Sequence, residues 1–270
     1  KAHTQPACGP GHQRRLSGEI NFFHRAFTLC RDEALWLGSR LRAVKTACCG
    51  RVRGNIMRVT VVSDTICPWC YVGKRNLDRA IAARPDLGIT LDWRAYMLDP
   101  SLPPEGVDRK EYLRAKFGDG ERPRAMADAL RQAGEDAGIT LAFDKIALTP
   151  NTLNCHRLIR WARSLGIQNE VVEALFAAYF TDGKNLADVG VLTSIAASCG
   201  MDGELVAGLL ASDADTDAVM REVMFAQEIG ITGVPAFIIE NKFMVMGAHP
   251  PEQLIQIFER AQASLAAAAG

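Results

Sequence analysis

The sequence predicts an α/β fold: a mixed sheet flanked by helices, interrupted by a large all-helical insertion. Three observations carry this. A strand–helix–strand pattern runs from Val59 to Met97, about a hundred residues of unbroken helical periodicity follow, and a helix, a hairpin and a last helix close the chain. A length of 270 residues with 48% apolar content suffices for a sizeable core and is too apolar for a disordered chain.

The elements follow in order. Val59–Val62 is a short β-branched run and reads as a buried strand. Asp64–Pro68 is a turn. Cys70 to Ala83 reads as a helix with Leu77, Ala80 and Ile81 on one face, ended by Arg84-Pro85. From Ile89 to Met97 apolar and polar residues alternate, and Asp99-Pro100 stops this second strand. From about Asp108 to Ala211 the pattern is helical throughout. Its stripes include Met126, Leu130, Ala133, Ala137 and then Leu158, Trp161, Ala162, Leu165. A helix spans roughly Asp215 to Ile229. Pro235–Glu240 and Phe243–Met246 flank Asn241-Lys242 as a hairpin, with the second arm reading as a buried strand. Pro250-Pro251 opens the last helix. The chain divides into 57–105 and 213–266, two parts of one sheet domain, with a helical insert at 106–212 between them.

The net charge of zero hides a split. Residues 1–56 hold ten Lys/Arg against three acids, and the rest hold 21 against 28. Residues 1–56 read as a basic extension that is not native or is disordered, with Met57 as the natural start. The acidic remainder gives no support to nucleic-acid binding. No run approaches a membrane span, and no secretory pattern is present, so a cytoplasmic protein with reduced thiols is expected.

The chemistry lies in Cys67-Pro68-Trp69-Cys70. A Cys-x-x-Cys where a strand turns into a helix meets free backbone N–H groups and a partial positive charge. A cysteine there holds its proton less tightly, which favours a nucleophilic thiolate. Cys67 is expected as the exposed nucleophile, Cys70 as the residue that resolves the mixed disulfide, and Trp69 as an apolar surface beside them. Pro68 suits the first helical turn. Two inert core cysteines or a structural zinc site are the bland alternatives, but zinc wants four ligands, and Cys155-His156, Cys199 and the remote Cys48-Cys49 are not correctly paired for it. No metal is expected.

The other polar candidates have ordinary readings beside functional ones. Asp64 either couples to the dithiol or holds the turn with its side chain. His156 reads as a surface or capping histidine, with substrate orientation as the alternative. Asn154 reads equally as a ligand contact or a helix-face hydrogen bond. Cys155 and Cys199 read as core packing, and Lys74 and Arg75 as a solvated face.

The run VVSDTICPWCYVGK, Val61 to Lys74, resembles the DsbA-like thioredoxin superfamily and, within it, the FrnE-like group. Leu91–Pro100, Asn151–Leu158, Gly233–Phe237 and Gly247–Pro250 are similar to that group in the same order, so the resemblance covers about residues 57–265. It implies a thioredoxin-like fold with a helical insert, and disulfide oxidation, reduction or isomerisation. It implies thiol- or disulfide-containing protein substrates, glutathione as a candidate redox partner, and no bound cofactor. It implies that Val234 and a cis Pro235 lie across from the dithiol and leave backbone free to pair with an extended substrate. The related 2-hydroxychromene-2-carboxylate isomerases and kappa-class glutathione transferases use glutathione and commonly carry serine at the nucleophile. A glutathione-dependent isomerase or transferase is therefore the alternative, and a zinc-holding binding module the third reading.

Overall fold

The computed structural model describes residues 56–268. The basic extension, with Cys8, Cys30, Cys48 and Cys49, lies outside the described residues apart from Ile56.

A four-stranded mixed sheet of order β2-β1-β5-β6 forms the centre. Strand β1 (Met57–Ser63) pairs in parallel with β2 (Ile89–Ala95), Val61 opposite Trp93. Parallel neighbours need a crossover, and α1 (Pro68–Ala83) supplies it. On its other side β1 pairs antiparallel with β5 (Ala236–Ile239), and β5 pairs with β6 (Phe243–Met246). The central strand β1 is β-branched and enclosed on both faces, as a strand between two neighbours should be.

The helices of the insert are α2 (Arg109–Phe117), α3 (Glu121–Asp136), α4 (Leu153–Ala162), α5 (Gln168–Phe176), α6 (Val189–Ser198) and α7 (Gly203–Leu210). Helix α8 (Thr216–Glu228) and helix α9 (Pro251–Ala267) belong to the returning chain. Helix α9 packs on α1, while α4, α5 and α8 lie against β2. The core runs continuously from the sheet into the insert: Val61, Phe237 and Leu77 belong to one buried cluster with Leu158, Phe176 and Phe180.

Three readings of the sequence need correction here. The insert is not helical throughout. Val107–Asp108 and Leu148–Thr149 form a small antiparallel ladder, and Ala177–Thr181 is a π-helical turn that buries the consecutive Tyr179 and Phe180. Strand β6 is a half-buried edge, with Met246 exposed, because among the described residues no further strand pairs with its outer side. The hairpin turn is Glu240-Asn241, both left-handed at φ 48° and 54°, closed by Lys242 N–H donating to the Ile239 carbonyl at 3.0 Å.

The opposite edge, β2, is closed by side chains. Trp93 exchanges hydrogen bonds with the Gln168 amide: its N–H donates to Oε1 at 3.2 Å and its carbonyl accepts from Nε2 at 3.3 Å. Ala95 N–H donates to Glu222 Oε2 at 3.2 Å. Gln168 comes from α5 and Glu222 from α8, so helices satisfy ladder groups that a fifth strand would otherwise take.

Candidate active site

Cys67 is the N-cap of α1, in extended conformation at φ −91° and ψ 109°. Its carbonyl accepts from Cys70 N–H at 3.0 Å, which starts the helix. Pro68 sits in the first turn, where a missing N–H costs nothing. Just upstream, Cys67 N–H donates to the Asp64 carbonyl at 3.0 Å, closing the turn that carries the chain from β1 into the motif.

The structure brings Cys67, Cys70 and Val234 together. The Cys67 thiol lies 3.5 Å from the Val234 carbonyl and donates to it. The Val234–Pro235 peptide bond is cis. Gly73 is what lets α1 approach this loop, since a Cβ there would lie 2.9 Å from Pro235 Cγ. All four cysteines among the described residues are free thiols. Cys67 is 5% exposed and Cys70 only 1%. Burial pushes the Cys70 thiol well up, and its hydrogen bond to Cys67 and the charge there push the same way; hydrogen bonds from the Asp64 backbone and the Ser63 side chain oppose them. Cys67 is therefore not the exposed residue expected, because it is enclosed against the Val234 carbonyl; a sulfur at the helix N-terminus with a second one held protonated beside it is still an arrangement suited to attack followed by resolution.

Trp69 is half-buried and opens a cleft of about 280 Å³. One wall is the face of α1 that carries Trp69, Val72, Asn76 and Arg79; the other comes from Asp136 of α3 and the segment leading into α9. The cleft is mixed in polarity and starts beside the motif.

The other predicted site residues fall differently. Asp64 is wholly buried and does hold the turn: Oδ2 accepts from Leu98 N–H at 2.7 Å and Oδ1 from Ile66 N–H at 3.5 Å. His156 is not at the surface. It is buried, and its Nε2 lies 3.6 Å from Asp64 Oδ1. Helix α4 is the reason, because it is packed against β2, α5 and α8 and has almost no solvent face. Asn154 takes no part in the motif; its Oδ1 accepts from Arg157 Nη1 at 2.8 Å, the helix-face reading. Cys155 is core, and burial pushes its thiol up to about 12. Lys74 is a correction: far from solvated, it is 2% exposed, with Nζ 2.6 Å from Asp78 and 2.8 Å from Glu173 of α5. Among the described residues no three His, Cys, Asp or Glu side chains gather as a metal set, and no helix is long and apolar enough to cross a membrane.

Sequence reasoning missed the aromatic wall behind the motif. Tyr71, next to Cys70, stacks on Phe176 with ring centres 5.2 Å apart and on Phe180 at 6.1 Å, and its hydroxyl donates to Glu173 Oε1 at 3.2 Å. The spacing of Phe176 and Phe180 was the available signal, but the partner lies a hundred residues away. Arg157 was missed likewise: its guanidinium donates to the Leu209, Ser212 and Ala214 carbonyls at 2.6–2.7 Å and so finishes the end of α7.

The sequence model of the DSBA-like thioredoxin domain matches residues 58–259. The crystal structure of a probable DsbA oxidoreductase from Streptomyces coelicolor is 31% identical, with a TM-score of 0.71 over 77% of this chain and 90% of that one. The uncharacterized protein YwbO of Bacillus subtilis (strain 168) is 26% identical over 68% of this chain and 86% of its own. The cytosolic disulfide reductase DsbM of Pseudomonas aeruginosa, solved with GSH, shares the fold at 16% identity, with a TM-score of 0.55 over 76% of this chain and 99% of that one.

Proposed function

The chain belongs to the DSBA-like thioredoxin domain family, and from that premise we propose that it is a thiol–disulfide oxidoreductase of FrnE type working through Cys67 and Cys70. The observation that carries this reading is the pairing of an N-cap Cys67, in contact with the Val234 carbonyl, with a buried Cys70 whose thiol is held protonated. The Cys67 thiolate attacks one sulfur of a substrate disulfide. The S–S bond breaks, and the other substrate sulfur leaves as a thiolate. Cys70 then gives up its proton and attacks Cys67 Sγ, the mixed disulfide breaks, and the second substrate thiol is released. Run backwards, the same steps oxidise a substrate dithiol. Trp69 and its cleft receive the chain beside the substrate cysteine, and Val234 and Pro235 place it against Cys67. Protein thiols and disulfides are the substrates and glutathione the redox partner, the latter supported by the GSH-bound reductase that shares the fold. A cytoplasmic setting is part of the same reading.

A glutathione redox titration with an insulin-reduction assay tests it. Cys67→Ser is expected to abolish reduction, and Cys70→Ser to accumulate a mixed disulfide on Cys67. Failure to detect any reversible Cys67–Cys70 disulfide removes the proposal. Full turnover of a small-molecule substrate by Cys70→Ser favours the glutathione-dependent isomerase or transferase instead, since that chemistry needs Cys67 alone.

A further inference from the structure

Resolution asks a fully enclosed thiol to become a nucleophile, and the end of β1 is built around that sulfur. Ser63 is the last residue of β1, and Asp64 follows it into the turn. Both are buried, Ser63 at 6% exposure and Asp64 at none. The segment after β2 pins them in place. Tyr96 N–H donates to the Ser63 carbonyl at 3.0 Å, and Leu98 N–H donates to the Asp64 carboxylate at 2.7 Å. Cys70 is fixed in turn by its own N–H, which donates to the Cys67 carbonyl at 3.0 Å. Held so, the Ser63 side chain and the Asp64 backbone both hydrogen-bond the Cys70 sulfur. A serine brings a hydroxyl donor and a main chain its N–H, so two donors from consecutive residues converge on one atom.

The mixed disulfide changes what Cys70 meets. In the open dithiol, burial, the bond to Cys67 and the charge there all keep the proton on Cys70. Once Cys67 is joined to a substrate sulfur it carries no charge, and the two causes that come from Cys67 are gone. Burial remains, and a charge taken out of water is costly unless donors meet it. The two donors at the end of β1 do so. They are in place before the charge develops, as donors that lower a barrier must be.

We propose that Ser63 is a catalytic residue for resolution: its hydroxyl, together with the Asp64 N–H, forms a cradle for the negative charge that builds on Cys70 Sγ as Cys70 attacks Cys67. The proposal rests on the oxidoreductase reading and deepens it at the second of its two steps. That step balances. A bond forms between Cys70 Sγ and Cys67 Sγ, the bond from Cys67 to the substrate sulfur breaks, and its electron pair leaves on the substrate sulfur. The Cys70 proton ends on that sulfur as a free substrate thiol. Cys70 is oxidised, the substrate sulfur is reduced, and Ser63 keeps its own proton. The first attack, by Cys67, places no charge on Cys70, so the cradle acts on closing and not on opening the substrate disulfide.

Rapid-quench mass spectrometry of the whole reduced protein mixed with glutathione disulfide tests this, because it separates the glutathione adduct on Cys67 from the closed Cys67–Cys70 disulfide. Ser63→Ala should form the adduct at the parent's rate and close it about tenfold more slowly, so that the adduct accumulates. Sulfur is a weak acceptor, which keeps the loss below that for an oxygen anion. Ser63→Gly, which also lacks the hydroxyl, should show the same partition. Ser63→Thr, which keeps the hydroxyl, should close at about the parent's rate. Closing at the parent's rate without the hydroxyl, equal slowing of both steps, or no recovery in Ser63→Thr overturns the proposal and leaves the oxidoreductase reading intact. If the parent forms no Cys67–Cys70 disulfide at all, that reading fails and the proposal with it.

Discussion

At Gly73 the redox helix meets the Pro235 loop with no room for another atom. Gly73→Val should therefore push the two apart and cost about 1–3 kcal/mol of stability, read by denaturant unfolding, with a matching fall in insulin reduction. Cys155 differs from Cys67 by environment alone. With its thiol pushed up to about 12 and fully enclosed, it should resist iodoacetamide at pH 8 in the native protein and react once the protein is unfolded. Labelling of native Cys155 at the rate of Cys67 contradicts this. Tyr71 supplies a pH dependence. Burial and the Glu173 charge raise its phenol from 10.0 to about 12, so the fold favours the neutral form. Its contribution is intact below pH 10 and is lost as pH rises through about 12. Tyr71→Phe should lose stability less steeply than the parent across that range in alkaline unfolding curves.

Among the elements, β1, α1, β2 and the closing hairpin and helix were legible because each has a clear period and a punctuating turn. The site was legible where its signal is local, in four consecutive residues at a strand–helix junction. It was illegible where the signal is long-range. An apolar run such as Phe243–Met246 looks the same in a central strand and at an edge, and two-residue strands such as Val107–Asp108 carry no pattern. Lys74 and His156 looked like surface residues because what encloses them comes from α5 in one case and from β2, α5 and α8 packed on α4 in the other. The Lys74 contact ties α1 to α5. Glu173→Ala removes one of its two carboxylates and should destabilise by about 1–3 kcal/mol in a denaturant melt, whereas a neutral outcome shows that Asp78 suffices alone.

In the whole molecule the division into sheet and insert, drawn from sequence, does not correspond to two separate cores. The helical segment supplies the aromatic wall behind Tyr71, the partner of Lys74 and the imidazole facing Asp64. The charge split read from composition places the excess acid in the segment that carries all of this, 28 acids against 21 Lys/Arg, while the excess of base lies in residues 1–56.

The side-chain closure of β2 by Gln168 and Glu222 has a thermodynamic meaning. Trp93 completes its edge hydrogen bonds with Gln168 of the insertion, so the sheet and the insertion are expected to unfold as one unit. Trp93 in the sheet and Trp161 in the insert report on the two halves. Their fluorescence, each measured with the other tryptophans replaced, should trace one common denaturant midpoint together with the far-ultraviolet dichroism. Two separated midpoints would mean that the insertion is a lodger rather than a wall of the house.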